Sequence, residues 1–168
     1  MHFFTATINN WQKLLQDDKI KILIVQSLEW LYKNERAHTH GFVIMPNHIH
    51  LLWSRGNDYE IQKSEQDLLS FTGHEIKKYL TKNNPEQLNN FISTQADRAY
   101  HFWERRPRSI EIMSREIAWQ KLNYIHNNPV KEKWQLAKLP EEYSYSSAAF
   151  YIKEDKTFSF LTHYMDYC

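Results

Sequence analysis

Gly-Phe-Val-Ile-Met-Pro-Asn-His-Ile-His-Leu-Leu-Trp, residues 41–53, is the stretch on which the fold turns. Read as one apolar run it would form a single long strand. Pro46, however, lacks the N–H that a sheet ladder needs, and Pro46-Asn47 suits the two central positions of a tight turn. The stretch therefore reads as a hairpin, with strands over 38–45 and 48–54. Side chains alternate along a strand, so His48 and His50 share one face while Ile49 points to the other, into the core.

Working outward, residues 3–8 are aromatic and β-branched and predict a strand. Over 17–34, Ile20, Ile24, Leu28 and Leu31 recur at helical spacing. A long polar helix is expected over 60–82, with Leu68, Leu69, Phe71, Ile76 and Leu80 as its buried positions. Residues 83–98 carry Asn-Asn-Pro and read as a loop with at most a short helix. Ala-Tyr-His-Phe-Trp-Glu, 99–104, predicts a fourth strand. A last helix is expected over 114–128, with Ile117, Ala118, Leu122 and Ile125 as its stripe, ended by the conformational restriction that Pro129 places on Asn128. The order is βαββαβ with an added C-terminal helix. It predicts an α+β, ferredoxin-like sandwich in one domain over 1–168, an antiparallel sheet with helices packed on one face. That fold serves many chemistries and does not itself name one.

Composition narrows the classes. With 42% hydrophobic and 24% charged residues and only 3 glycines, the chain is globular rather than low-complexity. No apolar stretch approaches the ~18 residues of a membrane span, and the first residues lack a signal-peptide pattern. One cysteine, Cys168, excludes a disulfide framework within the chain and suits a reducing compartment. The expectation is a cytoplasmic protein without membrane contact. Aromatics make up 15% of the residues, a load that can fill a core or stack on unpaired bases. Net charge is +1, so any nucleic-acid site must be a local patch. Such a patch exists over 105–133, where seven cations (Arg105, Arg106, Arg108, Arg115, Lys121, Lys131 and Lys133) face three carboxylates.

Two segments carry chemistry. His48 and His50 can offer two imidazole nitrogens to one metal ion, or can simply be two hydrogen-bonded imidazoles; His38 and His40 repeat the spacing on the opposite strand. Lys-Leu-Asn-Tyr-Ile-His-Asn-Asn-Pro-Val, 121–130, puts Tyr124 and Asn128 on one helix face. Tyr124 lies off the centre of the apolar stripe, as a half-buried tyrosine or as a nucleophile towards a phosphodiester. Asn128 is a helix cap or an oxygen ligand one turn away.

Together, residues 41–53 and Tyr-Ile-His-Asn-Asn-Pro-Val (124–130) resemble the HUH single-tyrosine transposases, most closely the REP-associated tyrosine transposase branch. Phe-Trp-Glu-Arg (102–105) and Tyr-Ser-Tyr-Ser-Ser (143–147) resemble further elements of that family, so the resemblance spans roughly 3–151. It implies that His48, His50 and Asn128 hold Mg²⁺ or Mn²⁺. Tyr124 would be the nucleophile, forming a 5′-phosphotyrosine and leaving a free 3′-hydroxyl. The implied substrate is single-stranded DNA beside a hairpin, and the implied activity is nicking and rejoining. Arg105, Arg106, Arg108, Lys121 and Lys131 are expected to contact it, with Tyr100, Trp103 and Trp134 as possible stacking partners. The family includes homodimers whose sites combine two chains and enzymes that act as monomers. A non-cleaving hairpin-binding relative and a zinc hydrolase are the competing readings.

Overall fold

The computed structural model describes residues 1–94, 96 and 98–167, so Cys168 lies outside the described residues. Its sheet has four strands: β1 (His2–Thr7), β2 (Ala37–Ile44), β3 (His48–Arg55) and β4 (Arg108–Glu111). They lie in the order β2-β3-β1-β4, and each neighbouring pair is antiparallel. The helices are α1 (Asp18–Lys33), α2 (Ile61–Asn83), α3 (Pro85–Asn89), α4 (Arg115–Asn127) and α5 (Ala148–Lys153). The expected α+β, ferredoxin-like arrangement is the one observed. Among the described residues no helix is long and apolar enough to cross a membrane.

The pleat sorts the strand residues into two layers. Phe4, Ala6, Phe42, Ile44, Ile49, Leu51 and Trp53 join Ile20, Ile24 and Leu28 of α1 and Leu68, Ile76 and Leu80 of α2 in one core. Phe3, Val43, Met45 and Leu52 face the other way and meet Ala118, Leu122 and Ile125 of α4. The expectation of helices on one face is thereby corrected. The strands are apolar on both faces, and a second face of that kind must also leave water.

The fourth strand is a second correction. Residues 99–104 form no strand; they contribute an isolated bridge from Trp103 to Ile8 and another from Tyr100 to Ile92. Phe102 and Trp103 are buried because this segment folds down towards α2, where the Trp103 indole N–H donates to Thr72 Oγ1 at 3.0 Å. The true edge strand, β4, is exposed at all four residues and pairs with β1 from Thr5↔Arg108 to His2↔Glu111. Backbone pairing with β1 and a hydrogen bond from Ser109 Oγ to Glu65 Oε1 hold it rather than apolar burial, so it carries no hydrophobic alternation for a sequence pattern to show.

The opposite edge is closed by Tyr-Ser-Tyr-Ser-Ser. Ser146 bridges Val43, the Tyr143 hydroxyl donates to the Ile44 carbonyl at 2.7 Å, and the Phe42 N–H donates to Ser147 Oγ at 2.9 Å. Covering an edge in this way removes a template for unwanted strand pairing.

Candidate nucleic-acid and metal site

β3 brings His48 and His50 onto the face covered by α4, with ring centroids 4.7 Å apart. Both are buried, at 8% and 5% exposure. The His48 Nδ1–H donates to Asn47 Oδ1 at 2.7 Å, because an amide oxygen can only accept. His48 Nε2 therefore carries the lone pair. His50 Nδ1 lies 2.7 Å from Thr5 Oγ1 on the neighbouring strand. In the tautomer that donates to Thr5, His50 Nε2 is also a free acceptor, and that atom is buried with no hydrogen-bond partner.

Burial pushes the His48 imidazole down to about 4, helped by Lys133 and Lys131. Burial pushes His50 to about 3, helped by His48, Lys131 and Lys121. Both rings are thus neutral at physiological pH, the state in which imidazole ligates a metal.

α4 begins at its N-cap Ser114, whose side chain accepts from the Ile117 N–H, and its apolar stripe fixes its roll on the sheet. That roll sets Tyr124 over the histidine pair. The Tyr124 ring is 5.2 Å from His50 and 6.0 Å from Phe3, both edge-on, and the side chain is 43% exposed. Lys131 Nζ sits over the Tyr124 ring at 4.0 Å, and Lys121 Nζ over Phe3 at 5.0 Å. Asn128 is the C-cap of α4 and is buried, yet its Nδ2 has no partner. A buried amide left unsatisfied costs free energy that a cap alone does not require.

These groups share one cavity of about 940 Å³. The residues that the family resemblance implies for catalysis, metal and DNA contact all line it: His48, His50, Tyr124 and Asn128, with Lys121, Lys131, Arg105, Arg106 and Arg108. Of the expected stacking residues, Trp134 lines the cavity 5.8 Å from the His48 ring, whereas Trp103 is core. His38 and His40 belong elsewhere. Rings of both pack on Tyr167, and His40 Nε2 lies 2.9 Å from Ser54 Oγ.

The orphaned His50 Nε2 and the free His48 Nε2 fit a divalent ion that accepts imidazole, and Asn128 could add only its Oδ1, because the unpartnered Nδ2 is a hydrogen-bond donor that calls for an acceptor rather than a cation. Among the described residues no three His, Cys, Asp or Glu side chains cluster to hold a metal.

Several participants escaped the sequence reading. Asn47 was in view only as a turn residue, and Thr5 becomes visible only once the register pairs it with His50. Trp11 also lines the cavity, 63% exposed, on a backbone where both Asn10 and Trp11 have φ of 56°. That left-handed pair is costly for residues other than glycine. It is pinned by Glu104, which accepts from the Asn10 N–H at 2.9 Å, and by the Asn47 amide, which donates to the Trp11 carbonyl at 3.2 Å. No local sequence signal marks it.

No protein-family model matches the sequence, and no curated protein matches it. Among solved structures, the chain is similar to a REP-associated tyrosine transposase bound to a REP hairpin, with a TM-score of 0.64 and 16% identity over 96% of this chain and 81% of that one. It is also similar to a candidate transposase from Deinococcus radiodurans, with a TM-score of 0.49 and 13% identity over 76% and 89%. The first likeness establishes a shared fold.

Proposed function

We propose that this protein is a member of the HUH single-tyrosine transposases that nicks and rejoins single-stranded DNA beside a hairpin, through a covalent intermediate on Tyr124. The observation that carries the reading is the packing of the Tyr124 ring at 5.2 Å from His50, inside a cavity ringed by arginines and lysines. Two segments more than 70 residues apart converge there, and hydrophobic packing alone does not ask for a half-exposed phenol against a neutral, buried histidine pair. The shared fold with a hairpin-bound tyrosine transposase agrees with it.

In this reading the cationic wall, Arg105, Arg106, Arg108, Lys121 and Lys131, binds the phosphates and positions the strand. His48, His50 and Asn128 would hold Mg²⁺ or Mn²⁺, which supplies a positive charge to polarise a non-bridging phosphate oxygen. The Tyr124 phenol oxygen attacks phosphorus as its proton is lost to solvent. The P–O3′ bond breaks, the 3′-oxygen takes up a proton, and a 5′-phosphotyrosine remains. Attack by a 3′-hydroxyl reverses these steps and rejoins DNA, so the bond energy is conserved without ATP.

The test is a labelled oligonucleotide carrying a hairpin and single-stranded flanks from beside the gene, incubated with Mn²⁺ or Mg²⁺. A covalent adduct that survives denaturation is expected from the wild-type chain and none from Tyr124→Phe. Tight hairpin binding that needs no metal and never yields the adduct would instead identify a non-cleaving binding protein.

A further inference from the structure

We propose that the groove between α2 and residues 98–107 is a second single-strand DNA site, carrying the strand that leads to the cleavage cavity. The identity of its ligand rests on the nuclease reading above. The groove has a volume of about 890 Å³ and adjoins the cleavage cavity, Glu104, Arg105 and Pro107 lining both. A strand whose scissile phosphate lies at Tyr124 must leave the cavity somewhere, and this groove is the neighbouring depression that can take it.

Three features suit an unpaired strand. Tyr100 presents a ring with Lys77 Nζ over it at 5.3 Å and Phe102 stacked beside it at 6.2 Å. A base stacking on Tyr100 takes the place of the ammonium, which then meets a phosphate; stacking of this kind accepts any base. His101 lines the groove, and its Nε2 is buried without a hydrogen-bond partner.

The third feature is Gly73, a glycine in the interior of a 23-residue helix, where it weakens the helix relative to alanine. Internal packing does not require it. A Cβ there would meet Phe102 Cδ2 at an ordinary 3.9 Å, and its backbone is not left-handed. Gly73 lines the groove, so what the missing side chain preserves is room within it.

The test uses the full-length Tyr124→Phe chain, which binds without cutting, and a fluorescein-labelled oligothymidine of about 12 nucleotides. Gly73→Gln and Tyr100→Ala are each expected to weaken binding about tenfold, a typical loss for one stacked base. Gly73→Ala should raise the melting temperature, showing that the helix tolerates a side chain there. Unchanged affinity in Gly73→Gln overturns the proposal, as does a duplex of the same length that competes as well as the single strand. Should a variant fail to fold, 4-thiothymidine crosslinking to the otherwise native chain decides. Crosslinks to peptides within 73–77 or 98–107 support the groove, and crosslinks confined to 119–134 overturn it. Adduct formation by the wild-type chain is read separately, so groove-dependent binding without an adduct would sink the nuclease reading and leave the groove standing.

Discussion

His48 and His50 owe their chemistry to the atoms behind them. Each ring has its Nδ1 against an oxygen, Asn47 Oδ1 for one and Thr5 Oγ1 for the other, and this turns both Nε2 atoms towards the cavity. Partners of this kind fix the tautomer and orientation of a ligating histidine. Thr5→Val keeps the shape of the side chain and removes its hydroxyl. We expect it to weaken Mn²⁺ binding about 10- to 100-fold, measured by titration calorimetry, with little change in unfolding free energy. Undiminished Mn²⁺ affinity would mean that Thr5 plays no part in orienting His50. At this scale the sequence showed that the two histidines face the same way, since the pleat dictates it. It did not show their depressed protonation, which depends on burial beneath a helix distant in the chain.

At the scale of elements, α4 is the part whose placement makes the site. It lies close over β2 because Gly41 has no side chain; a Cβ there would come within 2.5 Å of Leu122 Cδ1. Leu122 is fully buried, so a displaced δ-methyl must press on its core neighbours unless the helix shifts. Gly41→Ala should therefore lift or tilt α4, costing about 1–3 kcal/mol of stability in denaturant titration. Because α4 carries Tyr124 and Asn128, adduct formation should fall by about 100-fold, the scale of a displacement near 1 Å at a reacting centre. A variant that loses stability while keeping full adduct yield would show that the site does not depend on this close approach. The three strands and three main helices read from periodicity appear within a residue or two of their expected bounds. β4 does not, because an exposed edge strand has no buried face and so leaves no period-2 trace.

At the scale of the whole molecule, four histidines among the described residues are buried and held neutral: His40, His48 and His126 at about 4 and His50 at about 3, in each case mainly by burial. Unfolding exposes them to water, where they titrate near their ordinary value of 6.5. Their native values are depressed, so this contribution to stability is complete above about pH 6.5 and is lost as pH falls through about 4. Each can cost up to about 1.4 kcal/mol per pH unit within that window. Urea unfolding of the metal-free protein should show stability falling steeply between pH 6.5 and 4; a flat profile there would contradict the burial described. The site also has a stoichiometric consequence. Tyr124 meets the histidine pair of its own chain, so one chain holds every proposed catalytic group. Mixing Tyr124→Phe with a His48→Ala, His50→Ala double variant should restore no adduct. Restored adduct would mean that Tyr124 works on a partner's histidines.

The sequence by itself determined the hairpin at Pro46-Asn47, the common direction of His48 and His50, the helical pairing of Tyr124 with Asn128 and the local excess of positive charge. These are properties of neighbours along the chain, which backbone geometry and spacing dictate. Only the tertiary structure decided that both sheet faces are covered and that α4 crosses the histidine pair. Burial beneath that helix, not the spacing of the histidines, leaves their rings neutral with their Nε2 atoms available. The same packing brings Arg105, Arg106 and Arg108 into the lining of the same cavity and forms the groove along α2. Such contacts join residues far apart in the chain, and their cause is the need to bury two apolar faces at once, which no local pattern records.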